Sequence, residues 1–188
     1  DLDNTLWGGI AGEDGFNGIK LGHDYPGRCY QDFQKELLKL YNRGIILAIN
    51  SKNNEDEALE IIDKHPCMIL RRKHFAGIRI NWNDKVSNMK AIAQELNIGL
   101  DSMIFVDDNP VECELVRENC PEVDVVCLPD KQYLIPSIIN TLSGTENIRL
   151  TEEDKLKGDM YKAQAERKHF ESSFENSDDF LSGIEIEV

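Results

Sequence analysis

The sequence predicts an α/β protein built as a three-layer, doubly wound (Rossmann-like) parallel sheet. Three observations predict it: short apolar runs recur along the chain, stretches with helical spacing separate them, and polar residues stand directly after the runs. Alternation of that kind makes βαβ units, and right-handed crossovers place helices on both faces of the sheet.

The elements follow in order. Residues 7 to 22 hold too many glycines for a helix and read as tight turns or a hairpin. From Tyr30 to Asn42, Phe33, Leu37, Leu38 and Tyr41 recur at helical intervals, and Gly44 follows as a stop. Ile45 to Ile49 is wholly apolar, as a strand buried on both faces would be. Asn54 is placed to cap a helix carrying Ala58, Leu59, Ile61 and Ile62. Gly77 to Trp82 reads as a strand, and Asn83 or Asp84 opens a helix with Val86, Met89, Ile92, Ala93 and Leu96 on one face. Met103 to Val106 is another apolar strand, and Pro110 suits the first turn of the next helix. Val123 to Val126 gives a strand and Tyr133 to Leu142 a helix. From Thr151 the composition turns highly charged, with acids in the first turn of an expected helix. The expected organisation is a core over residues 1–148 and a helical extension or linker over 149–188, leading toward a further domain.

Composition narrows the function. The chain has 188 residues, 40% of them apolar and 30% charged, enough for one domain with a real core. A formal charge of −14 disfavours nucleic acid and anionic membrane as partners, and no apolar run approaches a membrane span. Cys29, Cys67, Cys113, Cys120 and Cys127 are scattered and odd in number, which suits reduced thiols in a cytoplasm better than a disulfide framework or a zinc knuckle. The chain opens at Asp1 with no methionine, signal peptide or leading strand. The expectation is a piece whose first strand lies ahead of Asp1.

In open parallel sheets, ligands bind beyond the carboxyl ends of the strands. The expected first strand delivers Asp1-Leu2-Asp3-Asn4-Thr5, the next Asn50-Ser51-Lys52-Asn53, and a later one Asp107-Asp108, while Lys85 stands near a helix start. Two like charges about 4 Å apart repel by roughly 4 kcal/mol at an effective dielectric of about 20. Four gathered carboxylates therefore call for a cation, and magnesium, which takes carboxylates, waters and substrate oxygens together, is the natural one. Each motif alone reads equally well as turn or cap chemistry. Their joint order at strand ends is what points to a site.

These residues carry a resemblance. Asp1-Leu2-Asp3-Asn4-Thr5, Ser51, Lys85 and Asp107-Asp108 resemble motifs I to IV of the haloacid dehalogenase (HAD) superfamily. The wording DLDNTLWGGIAGEDG, INSKNN, WNDKVSNMKAIAQELN and FVDDNPVE is similar to the FkbH-like group, subclass IIIC, and the likeness runs over essentially the whole chain. The resemblance implies an HAD core without a large cap, since little chain separates Asp1 from Ser51 or Ser51 from Lys85. It implies Asp1 as nucleophile, passing through an aspartyl-phosphate, and Asp3 as general acid and base. Ser51 and Lys85 would hold the phosphoryl group. Asp1, Asp3 (through its carbonyl), Asp107 and Asp108 would hold magnesium, with Asp108 either assisting the metal or fixing Lys85. Thr5 would support the loop through hydrogen bonds.

Substrate contacts are expected from Ser51, Lys85, Asn53, Trp7 at the rim and Arg28 before its helix. The Arg71-Arg72-Lys73-His74 cluster reads as a solvated face, and His23, His65 and His169 as surface or structural. An open site suits a phosphorylated small molecule or a bulkier group tethered to a carrier protein. FkbH-like proteins are associated with glyceryl transfer from a phosphorylated glycerate onto acyl carrier protein. A cysteine in the first motif loop would carry the acyl group there, and this loop has none. Phosphatase chemistry therefore comes first, glyceryl or acyl transfer second, and a non-catalytic scaffold third.

Overall fold

The computed structural model describes residues 1–142. Among the described residues, two helices precede four strands that alternate with three more helices: α1 Ala11–Gly18, α2 Gly27–Asn42, β1 Leu47–Ser51, α3 Glu55–Lys64, β2 Phe75–Ile80, α4 Lys85–Leu96, β3 Ile104–Asp107, α5 Pro110–Asn119 and β4 Asp124–Cys127. The extension expected from residue 149 lies outside the described residues.

Both strand pairs are parallel, as the alternation requires. β1 pairs with β2 from Leu47↔Phe75 to Ser51↔Ile80, and β3 with β4 from Ile104↔Asp124 to Asp107↔Cys127. α4 and α5 pack on one side of the strands, with Met89, Phe105, Val116, Cys120 and Val123 in a common core. On the other side Phe33, Leu37 and Leu40 of α2 pack with Ile49, Val106 and Val126, and α3 adds Ala58, Ile61 and Ile62 to the same core. The α/β class with parallel strands and a helix layer on either side is therefore realised.

One expectation changes form. The sheet is two ribbons, β1–β2 and β3–β4, rather than one continuous surface. Between β1 and β3 runs a channel of about 480 Å³ lined by Leu47, Ile49, Ile104 and Val106, with α2 residues on one wall and α4 residues on the other. Ala48 and Ile104, expected to be buried, are consequently exposed. Asp1 closes one end of the channel, and its amino group donates to the Val106 carbonyl oxygen at 2.9 Å.

Local departures have local causes. The glycine-rich stretch folds as α1 instead of a hairpin, with a break at Gly15 (φ 65°), and a single antiparallel bridge joins Gly8 to Lys20. Acids at Glu13 and Asp14 favour that first turn. α2 starts three residues before Tyr30, at Gly27. The segment Gln132–Thr141 is a 3-10 helix, with Pro136 inside it removing one backbone donor. Asp84 and Asn109 cap α4 and α5 by accepting from the Ser87 and Val111 amides, whereas Asn54 holds the cap position of α3 without a cap hydrogen bond. Arg71, read as solvated, instead donates to the carbonyls of Ile62 and His65, tying the end of α3 to the run-up to β2.

Candidate active site

The strand ends do converge. Ser51 ends β1, Asp107 ends β3, and Lys85 opens α4 just after β2. Lys85 is buried, and its Nζ lies 3.1 Å from Asp1 Oδ1 and in close contact with Asp107 Oδ2. Its stem passes the Phe105 ring, with Nζ 5.9 Å from the ring centre. A lysine ammonium seldom survives such burial alone; the two carboxylates provide the charge that keeps it there. Asn50, placed at a strand end by the sequence but given no role there, donates its amide to the Lys85 carbonyl at 2.8 Å and pins the start of α4 to the end of β1.

Asp1, Asp107 and Asp108 each offer an oxygen within 4.8 Å of the others, a group that could hold a metal ion. Asp107 is fully buried and also accepts from the Asn109 amide at 2.9 Å. Burial, and then the neighbouring Asp107, raise the Asp108 carboxyl above its ordinary range. Lys85 does not reach Asp108; its ion pairs are with Asp1 and Asp107. Three carboxylates against one ammonium leave a local deficit of positive charge, and a divalent cation fits that deficit.

Asp3 stands apart from this group. Its Oδ1 accepts from Trp7 Nε1 at 2.8 Å and from the Ala11 amide at 3.1 Å, and its Oδ2 accepts from Asn53 Nδ2 at 3.0 Å. Burial raises its carboxyl above the ordinary range, while these three donors pull in the opposite direction. Its carboxylate is not among the group that could hold a metal ion. Ser51 Oγ is buried with no protein partner, the condition of a hydroxyl kept for a ligand.

Two assignments, Trp7 and Thr5, need correction. Trp7 is 0% exposed and donates to Asp3, so it is not a rim residue; the exposed tryptophan is Trp82, 71% accessible, whose Nε1 donates to Asn54 Oδ1. Trp82 precedes Lys85 by three residues in the loop after β2, a position the strand-end rule could have flagged. Arg28 is exposed and pairs along its own helix with Asp32 at 3.6 Å. Thr5 Oγ1 is buried without a hydrogen bond and lines the channel rather than bracing the loop. The loop is braced instead by Asn4, whose Oδ1 accepts from the Gly9 amide at 2.8 Å, and by Gln34, whose amide donates to the Leu6 carbonyl at 2.7 Å. Cys113 lies behind Asp107, and burial pushes its thiol up to about 12, so it forms an inert wall.

Among solved structures, the chain is similar to the N-terminal part of the protein BF1531 from Bacteroides fragilis, described as containing a phosphatase domain and complexed with Mg. The identity is 43% and the TM-score 0.73, covering 79% of this chain and 39% of that one. The chain thus spans about two fifths of the length of that relative. No curated protein matches. Among the described residues, no helix is long and apolar enough to cross a membrane. The family model for NLI interacting factor-like phosphatases matches residues 1–126, which include Asp1, Asp3, Ser51, Lys85, Asp107 and Asp108, and the chain belongs to that family.

Proposed function

We propose that this domain is a magnesium-dependent phosphohydrolase working through an aspartyl-phosphate on Asp1. The observation that carries the reading is Asp1 itself: a carboxylate paired with buried Lys85 at 3.1 Å and grouped with Asp107 and Asp108. Asp1, Asp107 and Asp108, with the Asp3 carbonyl, would hold magnesium, which when bound offsets phosphoryl charge and screens nucleophile from substrate repulsion. Asp1 attacks phosphorus, and Asp3 protonates the leaving oxygen and afterwards takes a proton from water. Lys85 and the unpaired Ser51 hydroxyl hold the phosphoryl oxygens. Asn53 holds Asp3 with one amide N–H and has its second N–H to offer a phosphoryl oxygen.

The substrate is a phosphate monoester reaching an open mouth. The motif wording similar to FkbH-like proteins supports a carrier-tethered group as one form of it, and no cysteine adjoins Asp1 and Asp3 to take up an acyl group. The core over 1–148 is completed by a strand in the channel beside Asp1. The channel supports this, being walled by β1 and β3, each paired on its other edge with a parallel strand.

Asp1→Asn tests the nucleophile. It should keep the fold, by circular dichroism, and lose hydrolysis of p-nitrophenyl phosphate by about 10³-fold or more. Retained magnesium-dependent turnover in that variant rules the assignment out. A carrier-protein route would show instead as an added acyl mass on acyl carrier protein.

A further inference from the structure

The hydrogen bonds around Asp3 distinguish its two oxygens. A carboxylate oxygen has two lone pairs, and those of Oδ1 are both taken, by the Trp7 indole N–H at 2.8 Å and the Ala11 amide at 3.1 Å. Oδ2 accepts one bond, from Asn53, and keeps one lone pair. The Asn53 amide cannot flip to donate elsewhere without loss, because its own Oδ1 accepts from the Asn54 amide at 2.9 Å. We infer that Asp3 exchanges protons through Oδ2 alone, and that Trp7 is the positioning residue that holds Oδ1 out of the reaction.

The surroundings of Trp7 suit that task. The ring is wholly buried, so it has no freedom to follow a moving carboxylate. Its main chain is gripped on both sides: the Leu6 carbonyl by Gln34, and Gly8 by reciprocal bonds with Lys20 at 3.0 and 2.7 Å. A Cβ at Gly8 would stand 2.6 Å from Tyr30, so this strip of chain admits little displacement. An indole N–H buried in an apolar core needs a partner, and Asp3 is the one it has.

The inference rests on the reading of Asp3 as acid and base. In the first step the Asp1 oxygen–phosphorus bond forms, the bond from phosphorus to the leaving oxygen breaks, and the proton on Asp3 Oδ2 passes to that oxygen. In the second, water adds to phosphorus, the Asp1 oxygen–phosphorus bond breaks, and the water proton returns to Oδ2. A carboxyl free to rotate would present the proton less often, and in the first step that matters only where the leaving group needs one.

The test compares two substrates in magnesium-containing buffer. Trp7→Phe should slow the pre-steady-state release of the leaving group, the step that forms the aspartyl-phosphate, by about tenfold or more with an alkyl phosphate and by less than about twofold with 2,4-dinitrophenyl phosphate. Because Phe could loosen the core, β-(3-benzothienyl)alanine inserted at position 7 provides a second variant; it keeps the bicyclic shape and deletes only the N–H. Equal losses on the two substrates, or no loss on either, would overturn the role of Trp7. Asp3→Asn separates the two levels: it should show the same leaving-group dependence, with about 100-fold loss on the alkyl ester. If Asp3→Asn is selective and the position 7 variants are not, only the inference fails. If Asp3→Asn is not selective, the acid–base reading of Asp3 fails and takes the inference with it.

Discussion

Asp108 shows how a single side chain couples charge, stability and metal. Burial raises its carboxyl, Asp107 beside it raises it further, and Lys85 offsets only part of this. A carboxyl raised in the folded state gives stability that is fully present below the ordinary carboxylate range and is lost as pH climbs through the raised value. Asp3 shifts in the same direction. These two carboxyls therefore withdraw stability as pH rises above the ordinary carboxylate range, about pH 4, while the lowered Asp1 amino group and His65 add stability over the same rise. A cation binds the ionised forms, so its stabilisation should grow over the same interval. At about 100 times its Kd, magnesium should add about 2.7 kcal/mol near pH 7 and much less near pH 5. Thermal melts with and without magnesium at the two pH values decide this, and an increment that is flat or falls with pH contradicts it.

At the scale of elements, the motif loop is shaped by what α2 holds up to it. Gln34 is fully buried on α2, gives its amide to the Leu6 carbonyl, and accepts from the Ile69 and Leu70 amides at 2.9 and 3.1 Å. One side chain thereby joins the loop carrying Asp1, Asp3 and Trp7 to the segment leading into β2. Gln34→Leu fills the space yet takes the side-chain partner from two buried backbone groups and one half-buried one, a buried group left unpaired costing about 1–3 kcal/mol. Urea denaturation should show a loss of about 3 kcal/mol or more, and a loss under about 1 kcal/mol would mean that the loop holds itself. The helix periodicity of α2 was readable from Phe33, Leu37 and Leu38, but a glutamine between such residues looks solvated on paper. Only the neighbouring segments, brought there by the fold, make Gln34 a bracket.

For the whole molecule, the channel between the two ribbons is the main structural feature. Its walls are strand edges and apolar helix faces, its length runs along β1 and β3, and Asp1 sits at its end with its amino nitrogen already on the Val106 carbonyl. A parallel strand leading into Asp1 would join the ribbons in the order β2, β1, new strand, β3, β4. A chain carrying such a strand ahead of Asp1 should protect the amides of Ala48 and Ile104 from hydrogen exchange far better than a chain beginning at Asp1. Equal exchange in both would show that the channel is not a strand site.

The strand ends, the helix starts at Asp84 and Asn109, and the candidates Asp1, Asp3, Ser51, Lys85, Asp107 and Asp108 were all legible in order, because apolar runs, caps and charged residues act through local spacing. The partners were not legible. That Lys85 pairs with Asp1 and Asp107 and not Asp108, that Trp7 is buried against Asp3 while Trp82 faces solvent, and that Arg28 pairs with Asp32 all depend on residues far apart in sequence or on side-chain direction. Sequence by itself determined which side chains reach the carboxyl ends of parallel strands, since strand polarity and helix spacing are local properties of the chain. Tertiary structure decided which of them touch, because burial and hydrogen bonding are settled only when distant segments pack.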